Sequence, residues 1–246
     1  MTDVGGATDT SRGSRIVTAA RFARGMTFEQ YLAFIGTPEN LAREAGWWRG
    51  PERMDWSAIL RAWHDGLRLR DDQAAAIRWL AAQPRGPAKI LAIAEEWSSD
   101  CRRAIPMLAR LAEAGGLELR IFTRDGARVG RAPRADPAES PNADLMNAFL
   151  REQDGRTYQS IPVAAFYTGA MEYLYHFIER PAVFHHGRIA ETMQAPRPGE
   201  TREHAWGRFM RQWAAMHQSP LSTVWAFAAI DEMLSVLYER AIGSLP

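Results

Sequence analysis

Apolar and polar positions divide the chain into helical ends and a mixed centre. Residues 1–13 consist mostly of Gly, Thr, Ser and Asp, which predicts a disordered tail. Between residues 14 and 86, apolar residues recur at the spacing of one helix face, and this predicts an N-terminal region of three to four helices. Residues 182–246 return to the same spacing. They predict a C-terminal extension with an antiparallel pair of long helices docked on the rest.

The central stretch, residues 87–181, opens with a strand, a helix and a second strand. Ala88–Ala94 is a nearly continuous apolar run, as in a strand that is covered on both faces. Ser98 or Ser99 is placed to cap the helix that follows. Leu117–Thr123 predicts the second strand. Since a helix connects them, the two strands are expected to be parallel.

The second half of the centre predicts a loop, a helix and a hairpin. The loop over residues 124–141 is rich in Arg, Gly and Pro, and we expect it to be mobile rather than functional. A helix over residues 143–152 and a turn follow. Ile161–Tyr167 and Met171–Ile178 are separated by three residues, which predicts an antiparallel hairpin. The whole chain is therefore expected to have an α/β fold with extra helices at both ends.

Aromatic residues at helical spacing predict core faces in the flanking regions, with a groove for a ligand or peptide as the alternative. The N-terminal region holds Trp47, Trp48, Trp56, Trp63 and Trp79, and Trp56 and Trp63 share a predicted face with Ile59 and Leu60. The two predicted C-terminal faces comprise Trp206, Phe209, Trp213 and Met216, and Val224, Phe227, Ile230 and Leu234.

Charge and composition narrow the class of protein. The formal net charge is +1, with 46% hydrophobic and 24% charged residues, so no strong field directs the chain to nucleic acid or to a membrane. The first residues do not resemble a secretory signal. The most apolar helix candidate, Val224–Leu237, is interrupted by two acids, so we expect no transmembrane span and a cytoplasmic location.

The chain contains one cysteine, Cys101. An intrachain disulfide and a cysteine-based zinc site are therefore excluded within a single chain. His185 and His186 could bind a metal together with His204 or His176, but adjacent histidines share neither a helix face nor a strand face, so no metal site is predicted. No nucleotide-binding motif is present, and we expect no cofactor.

The turn after the first central strand resembles a thioredoxin active site. Trp97-Ser98-Ser99-Asp100-Cys101 is similar to the Trp-Cys-x-x-Cys motif, Pro106 lies where thioredoxins carry a helix-kinking proline, and Ile161-Pro162 lies where they carry a cis-proline. The resemblance covers residues 87–181 and extends to bacterial family members with extra helices. It implies a βαβ–α–ββα core. The substrate-binding residues that it implies are Trp97, Ser99, Asp100, Ile161 and Pro162.

This sequence departs from the motif at the nucleophile. Ser98 occupies the position of the first cysteine, and a serine cannot form a disulfide, so one chain cannot complete the dithiol cycle. Ala92 occupies a position at which many thioredoxins have a buried acid. Nearby acids, among them Glu95 and Glu96, are expected to raise the thiol pKa, whereas Arg102 and Arg103 oppose them, depending on orientation.

Cys101 and Ser98 are the candidate catalytic residues, and several interpretations of them stay open. Cys101 is a buried small hydrophobe, a lone thiol that forms mixed disulfides with a protein or low-molecular-weight thiol, or a peroxide-reactive thiol. In a fourth interpretation, Ser98 holds a glutathione thiolate. The first functional hypothesis is a thiol–disulfide family protein with weak or absent dithiol activity. The alternative is a non-catalytic module that binds a protein, peptide or small ligand between Trp97, Pro162 and the added helices.

Overall fold

The computed structural model of the protein describes residues 17–46 and 53–242. The predicted tail over residues 1–13 and the two tryptophans Trp47 and Trp48 lie outside these residues.

The described N-terminal region is helical, as predicted, but it contains five helices instead of three to four, because two of them are single turns of four residues. The two helices nearest the sheet in sequence, Ser57–Gly66 and Asp71–Ala81, pack against the 17-residue helix Ser99–Gly115, and their inner residues join the main core. Thr27 begins one helix with a capping box: its side chain accepts from the backbone of Gln30, whose side chain accepts in return from the Thr27 backbone. The helices are α1 (Ala19–Phe22), α2 (Phe28–Ile35), α3 (Pro38–Leu41), α4 (Ser57–Gly66) and α5 (Asp71–Ala81).

A four-stranded sheet forms the centre of the described residues. Its order is β2-β1-β5-β6, in which β1 and β2 are parallel and the other neighbouring pairs are antiparallel. The parallel pair and the antiparallel hairpin are therefore both confirmed, as is the α/β fold class. The elements are β1 (Lys89–Ala94), α6 (Ser99–Gly115), β2 (Glu118–Thr123), α7 (Ala143–Ala148), β3 (Arg151–Gln153), β4 (Arg156–Tyr158), β5 (Val163–Tyr167) and β6 (Tyr173–Ile178).

The predicted helix over residues 143–152 was too long. α7 ends at Ala148, and the chain then forms a small hairpin, β3–β4. Its two turn residues, Asp154 and Gly155, have φ values of 51° and 70°. An Asp-Gly pair accepts this left-handed backbone, and it is the preferred pair for a two-residue hairpin turn. The turn chemistry therefore overrode the helical spacing of the residues before it.

Within residues 182–242 the C-terminal extension contains three helices, α8 (His186–Gln194), α9 (Arg202–Gln218) and α10 (Pro220–Ile242). α9 and α10 are the two long helices that were predicted, and α8 is a shorter one within the same predicted helical region. α10 contacts α9, as expected, and also α5 and β6. By length and composition alone, Pro220–Ala241 is apolar enough to cross a membrane, with a mean hydropathy of 1.3. Core helices of soluble proteins pass the same test, and Ile230, Met233 and Leu237 of α10 are buried in the main core.

Several apolar residues predicted to lie in the core are exposed. Trp63 is 42% exposed and Ile59 is 40% exposed, whereas Leu60 on the same helix is 1% exposed. The reason is that α4 buries a narrow stripe through Leu60 and His64 against its neighbours. Trp79, Trp206 and Val224 are also exposed, at 48%, 55% and 56%.

Candidate functional site

The thioredoxin-like turn lies between β1 and α6. Ser98 has extended backbone angles and caps α6: its Oγ accepts a hydrogen bond from the backbone N–H of Cys101 at 3.4 Å. A serine at this position satisfies one of the unpaired N–H groups of the helix. The Ser98 hydroxyl therefore serves as the N-cap of α6, a role that does not involve thiol chemistry.

Cys101 lies in the first turn of α6 and is 1% exposed. Burial raises the pKa of its thiol well above the ordinary value, and the negative charges of Asp100 and Glu95 act in the same direction. The hydrogen bond with Ser98 opposes the shift without reversing it. Because the thiolate is the form that attacks a disulfide, burial and the raised pKa both disfavour reaction at this sulfur.

The two arginines after Cys101 are engaged elsewhere. Arg102 Nη1 donates to the backbone carbonyls of Glu96 and Trp97, at 2.9 Å each, and its guanidinium lies 3.9 Å from the Trp56 ring centroid. Arg103 Nη2 donates to Asp100 at 2.7 Å. The structure thus settles the orientation of both side chains, and the pKa of the thiol is still raised.

Ile161 and Pro162 lie beside the turn, at the end of the same sheet. The peptide bond between them is cis, and both residues are buried. Ile93 pairs with Val163 in the antiparallel register, so Pro162 lies alongside Ala94, the last residue of β1. Pro162 therefore lies at the same end of the sheet as the turn after β1.

Trp97 and Asp100 are held by other parts of the protein. The Trp97 indole donates to Asp125 Oδ2 at 3.0 Å. A Cβ atom at Gly46 would lie 2.8 Å from the same ring, so this glycine lets the backbone cover the indole. Asp100 is 9% exposed and pairs with Arg103 and Arg180. Ser99 is half-buried.

A small cavity borders the N-terminus of α6 on the side that faces α10. Asp100, Arg103 and Pro181 line it together with Trp225 of α10, and its volume of about 20 Å³ accommodates roughly one water molecule. Burial lowers the pKa of the His217 imidazole, and the charges of Asp100 and Arg103 also act on this side chain. The C-terminal extension therefore approaches the motif and leaves no room for an organic substrate in this cavity.

A buried ion cluster lies next to the motif, around the adjacent acids Glu95 and Glu96. Arg53 Nη1 donates to Glu95 Oε2 at 2.9 Å and to Glu96 Oε1 at 2.7 Å, and all three side chains are at most 1% exposed. Arg43 Nη2 donates to Glu95 Oε1 at 2.8 Å. The Asp125 backbone N–H donates to the same oxygen at 2.7 Å. This cluster links the N-terminal helices to the ends of β1 and β2.

The loop after β2 takes part in this cluster. Arg124 Nε donates to Asp125 Oδ1 at 2.8 Å, and Arg124 Nη1 donates to the Gln159 carbonyl at 2.9 Å. Arg124 and Asp125 are 6% and 2% exposed. The expectation of a mobile loop is therefore wrong for Arg124 and Asp125. Movement of either residue would leave a buried charge without its partner, which is strongly unfavourable.

One family model matches part of the chain. The family described as Thioredoxin matches residues 52–129, about a third of the chain, from before α4 through the motif and β2. The match supports a thioredoxin-family protein. The fold is thioredoxin-like, with extra helices.

Two solved structures resemble the chain over most of its length. A protein of unknown function from Pseudomonas aeruginosa aligns with a TM-score of 0.49 and 17% identity, covering 90% of this chain and 97% of that chain. An HIV epitope scaffold aligns with a TM-score of 0.46 and 16% identity, covering 90% and 98%. No curated protein matches.

The site combines a capped helix N-terminus and a cis-proline with side chains whose polar groups are hydrogen-bonded inside the protein. Among residues 17–46 and 53–242, no group of three or more His, Cys, Asp or Glu side chains is arranged to hold a metal ion. Sequence reasoning missed Arg43, Arg53 and Asp125 as neighbours of the motif. The adjacent acids Glu95 and Glu96 directly after a buried strand were the available signal, since buried carboxylates need cationic partners.

Proposed function

We propose that this thioredoxin-like protein is a binding module without dithiol redox activity. The observation that carries the proposal is the state of Cys101, the only thiol, which is 1% exposed with its pKa raised by burial. Thiol–disulfide exchange requires a thiolate that can reach the substrate sulfur. The expected partner is a protein or peptide segment.

The contacts of the other motif residues support this proposal. The Ser98 hydroxyl accepts from the Cys101 backbone, and Asp100 pairs with two arginines. The Trp97 indole is bound to Asp125. These side chains stabilise the end of α6, and their polar groups are already engaged in the folded chain.

Mixed-disulfide chemistry at the lone thiol is the second candidate function. It is favoured by the position of Cys101 in the first turn of α6, where the helix dipole stabilises a thiolate. A helix terminus contributes roughly 0.3–1 kcal/mol at an exposed site, which is smaller than the effect of full burial on an ionised group. The burial of Cys101 therefore favours the binding module.

A thiol reagent distinguishes the two candidates. We expect the native protein to react with an aromatic disulfide reagent only as fast as it opens, and to react fully in denaturant. It should not catalyse insulin reduction. A Cys101→Ala variant provides the blank. Rapid stoichiometric reaction of the native thiol, or insulin turnover, would contradict the proposed function.

Ser98→Cys supplies the matched gain-of-function control. This variant restores two thiols at the family spacing on a helix terminus that already has the required shape. We expect a disulfide to form between the introduced thiol and Cys101, and we expect measurable insulin reduction. Activity in this variant and not in the native protein would assign the inactivity to the missing nucleophile.

A further inference from the structure

An open groove lies next to the ion cluster, at the edge of the sheet where β1 and β2 end. Its volume is about 640 Å³, within the range of roughly 300–1,000 Å³ that is usual for ligand sites. Phe34 and Ala42 from the α2–α3 segment line one wall, and Pro137 and Pro141 from the loop after β2 line the other. Crevices at the carboxyl ends of parallel strands are common binding sites in α/β proteins.

The two walls of the groove are fastened to each other. Arg43 lies between them: its Nε donates to the Gly126 carbonyl at 2.9 Å, and its Nη2 donates to the Asp125 carbonyl at 2.7 Å. A Cβ atom at Gly126 would lie 1.9 Å from the carbonyl oxygen of Glu139, so the two loop segments are in close contact. Ser140 Oγ donates to the Arg124 carbonyl at 2.6 Å. The groove is therefore preformed.

The charges that line the groove fall into two groups. Arg43 and Asp125 are neutralised inside the cluster, by Glu95 and Arg124 respectively. Glu39 and Glu139 are exposed, and no hydrogen bond or ion pair from residues 17–46 or 53–242 reaches either carboxylate. Two unpaired negative charges therefore accompany an apolar groove.

We propose that this groove is the docking site of a basic, extended peptide segment, in which an apolar side chain packs against Phe34 and the prolines. Basic side chains on either side of it would pair with Glu39 and Glu139. The inference rests on the proposed binding function and specifies its partner class. It uses neither Cys101 nor Pro162, so it does not require the turn of the thioredoxin motif to open.

A defined peptide tests the groove. The probe is a blocked heptapeptide, Gly-Arg-Leu-Pro-Leu-Arg-Gly, and the control peptide carries glutamate in place of both arginines. Binding is measured by calorimetry and by amide shifts in two-dimensional NMR spectra. The test protein is Glu39→Gln/Glu139→Gln. Its charge-matched control is Glu152→Gln/Glu191→Gln, two exposed acids on β3 and α8.

We expect amide shifts concentrated in residues 34–43, 123–127 and 137–141. The groove variant should bind the basic peptide roughly two- to thirtyfold more weakly, since each of the two exposed ion pairs contributes about 0.2–1 kcal/mol. The charge-matched control should bind as the native protein does. Added salt should weaken native binding, and the acidic peptide should not bind.

Equal binding by the groove variant, shifts elsewhere on the surface, or no binding of the basic peptide would overturn the inference. The thiol assays separate this result from a failure of the proposed function. If Cys101 stays unreactive and the peptide does not bind, the groove assignment alone is wrong. If the native protein reduces insulin, the proposed function is wrong whatever the peptide does.

Discussion

Replacing Arg53 with methionine is expected to destabilise the protein strongly. The Arg53 side chain is fully buried and donates to Glu95 and Glu96, both of which are also buried. Its Nε also donates to the carbonyl of Glu44 at 2.9 Å. Methionine can fill much of the space, but it leaves the two carboxylates with fewer positive partners.

The structure sets the size of this effect. The cluster balances the acids Glu95, Glu96 and Asp125 against the guanidinium groups of Arg43, Arg53 and Arg124. Removal of one positive charge leaves a buried negative charge without compensation. Breaking a buried ion pair from one side costs about 3–5 kcal/mol, a large fraction of a typical free energy of unfolding of about 5–15 kcal/mol.

The loss should depend on pH. Burial and the neighbouring negative charge of Asp125 raise the pKa of Glu95 above its ordinary value of 4.5, and Arg53 opposes them. Without Arg53, this pKa should rise further. The folded state then binds a proton more tightly than the unfolded state, so stability increases as pH falls through the folded pKa. The variant should therefore lose most stability at neutral pH and less as the pH approaches 4.5.

Urea unfolding at neutral and mildly acidic pH measures the effect, provided that the slope m does not change. Arg85→Met is the matched control, because Arg85 pairs with Glu172 at 3.3 Å and both side chains are about half exposed. It should lose no more than about 1 kcal/mol. The reasoning is refuted if Arg53→Met loses as little as this control, or if its loss is the same at both pH values.

Three further predictions concern the motif and the flanking helices. Ser98→Ala should lower the free energy of unfolding by about 0.5–2 kcal/mol through loss of the helix cap, measured by urea unfolding, with Cys101 still unreactive. In the same assay Leu60→Ala should cost about 2–5 kcal/mol and Trp63→Ala much less; equal losses would contradict the observed orientation of α4. His186 should titrate near 4 by NMR, because burial and the charge of Arg180 lower its pKa; its contribution to stability should decline as pH falls from 6.5 to 4.

The exposed aromatic residues show where periodicity misled. Trp56, Ile59, Leu60 and Trp63 share one side of a helical wheel, and the spacing alone predicts that all four are buried. In the structure, the stripe runs instead through Leu60 and His64, and Trp63 lies at its edge. A peripheral helix buries a stripe only as wide as the surface it meets, and that width depends on where its neighbours lie.

The same limit explains the missed cluster. Glu95 and Glu96 lie directly after a buried strand, which suggests cationic partners, but the chain offers 30 Lys and Arg residues. The partners that the fold selects, Arg43 and Arg53, lie 52 and 42 residues from Glu95. Pairing at this separation depends on how α3 and the segment before α4 pack onto the sheet, which local sequence does not encode.

By itself, the sequence determined the features that depend on near neighbours in the chain. The apolar run of β1, the cap at Ser98 and the hairpin of β5 and β6 follow from local chemistry, and the single cysteine alone rules out a dithiol cycle within one chain. Only the tertiary structure decided that Cys101 is buried and that Glu95 forms ion pairs with Arg43 and Arg53. It also decided that Glu39 and Glu139 face an open groove. Burial and charge pairing depend on contacts between residues distant in the chain, and these exist only once the chain is folded.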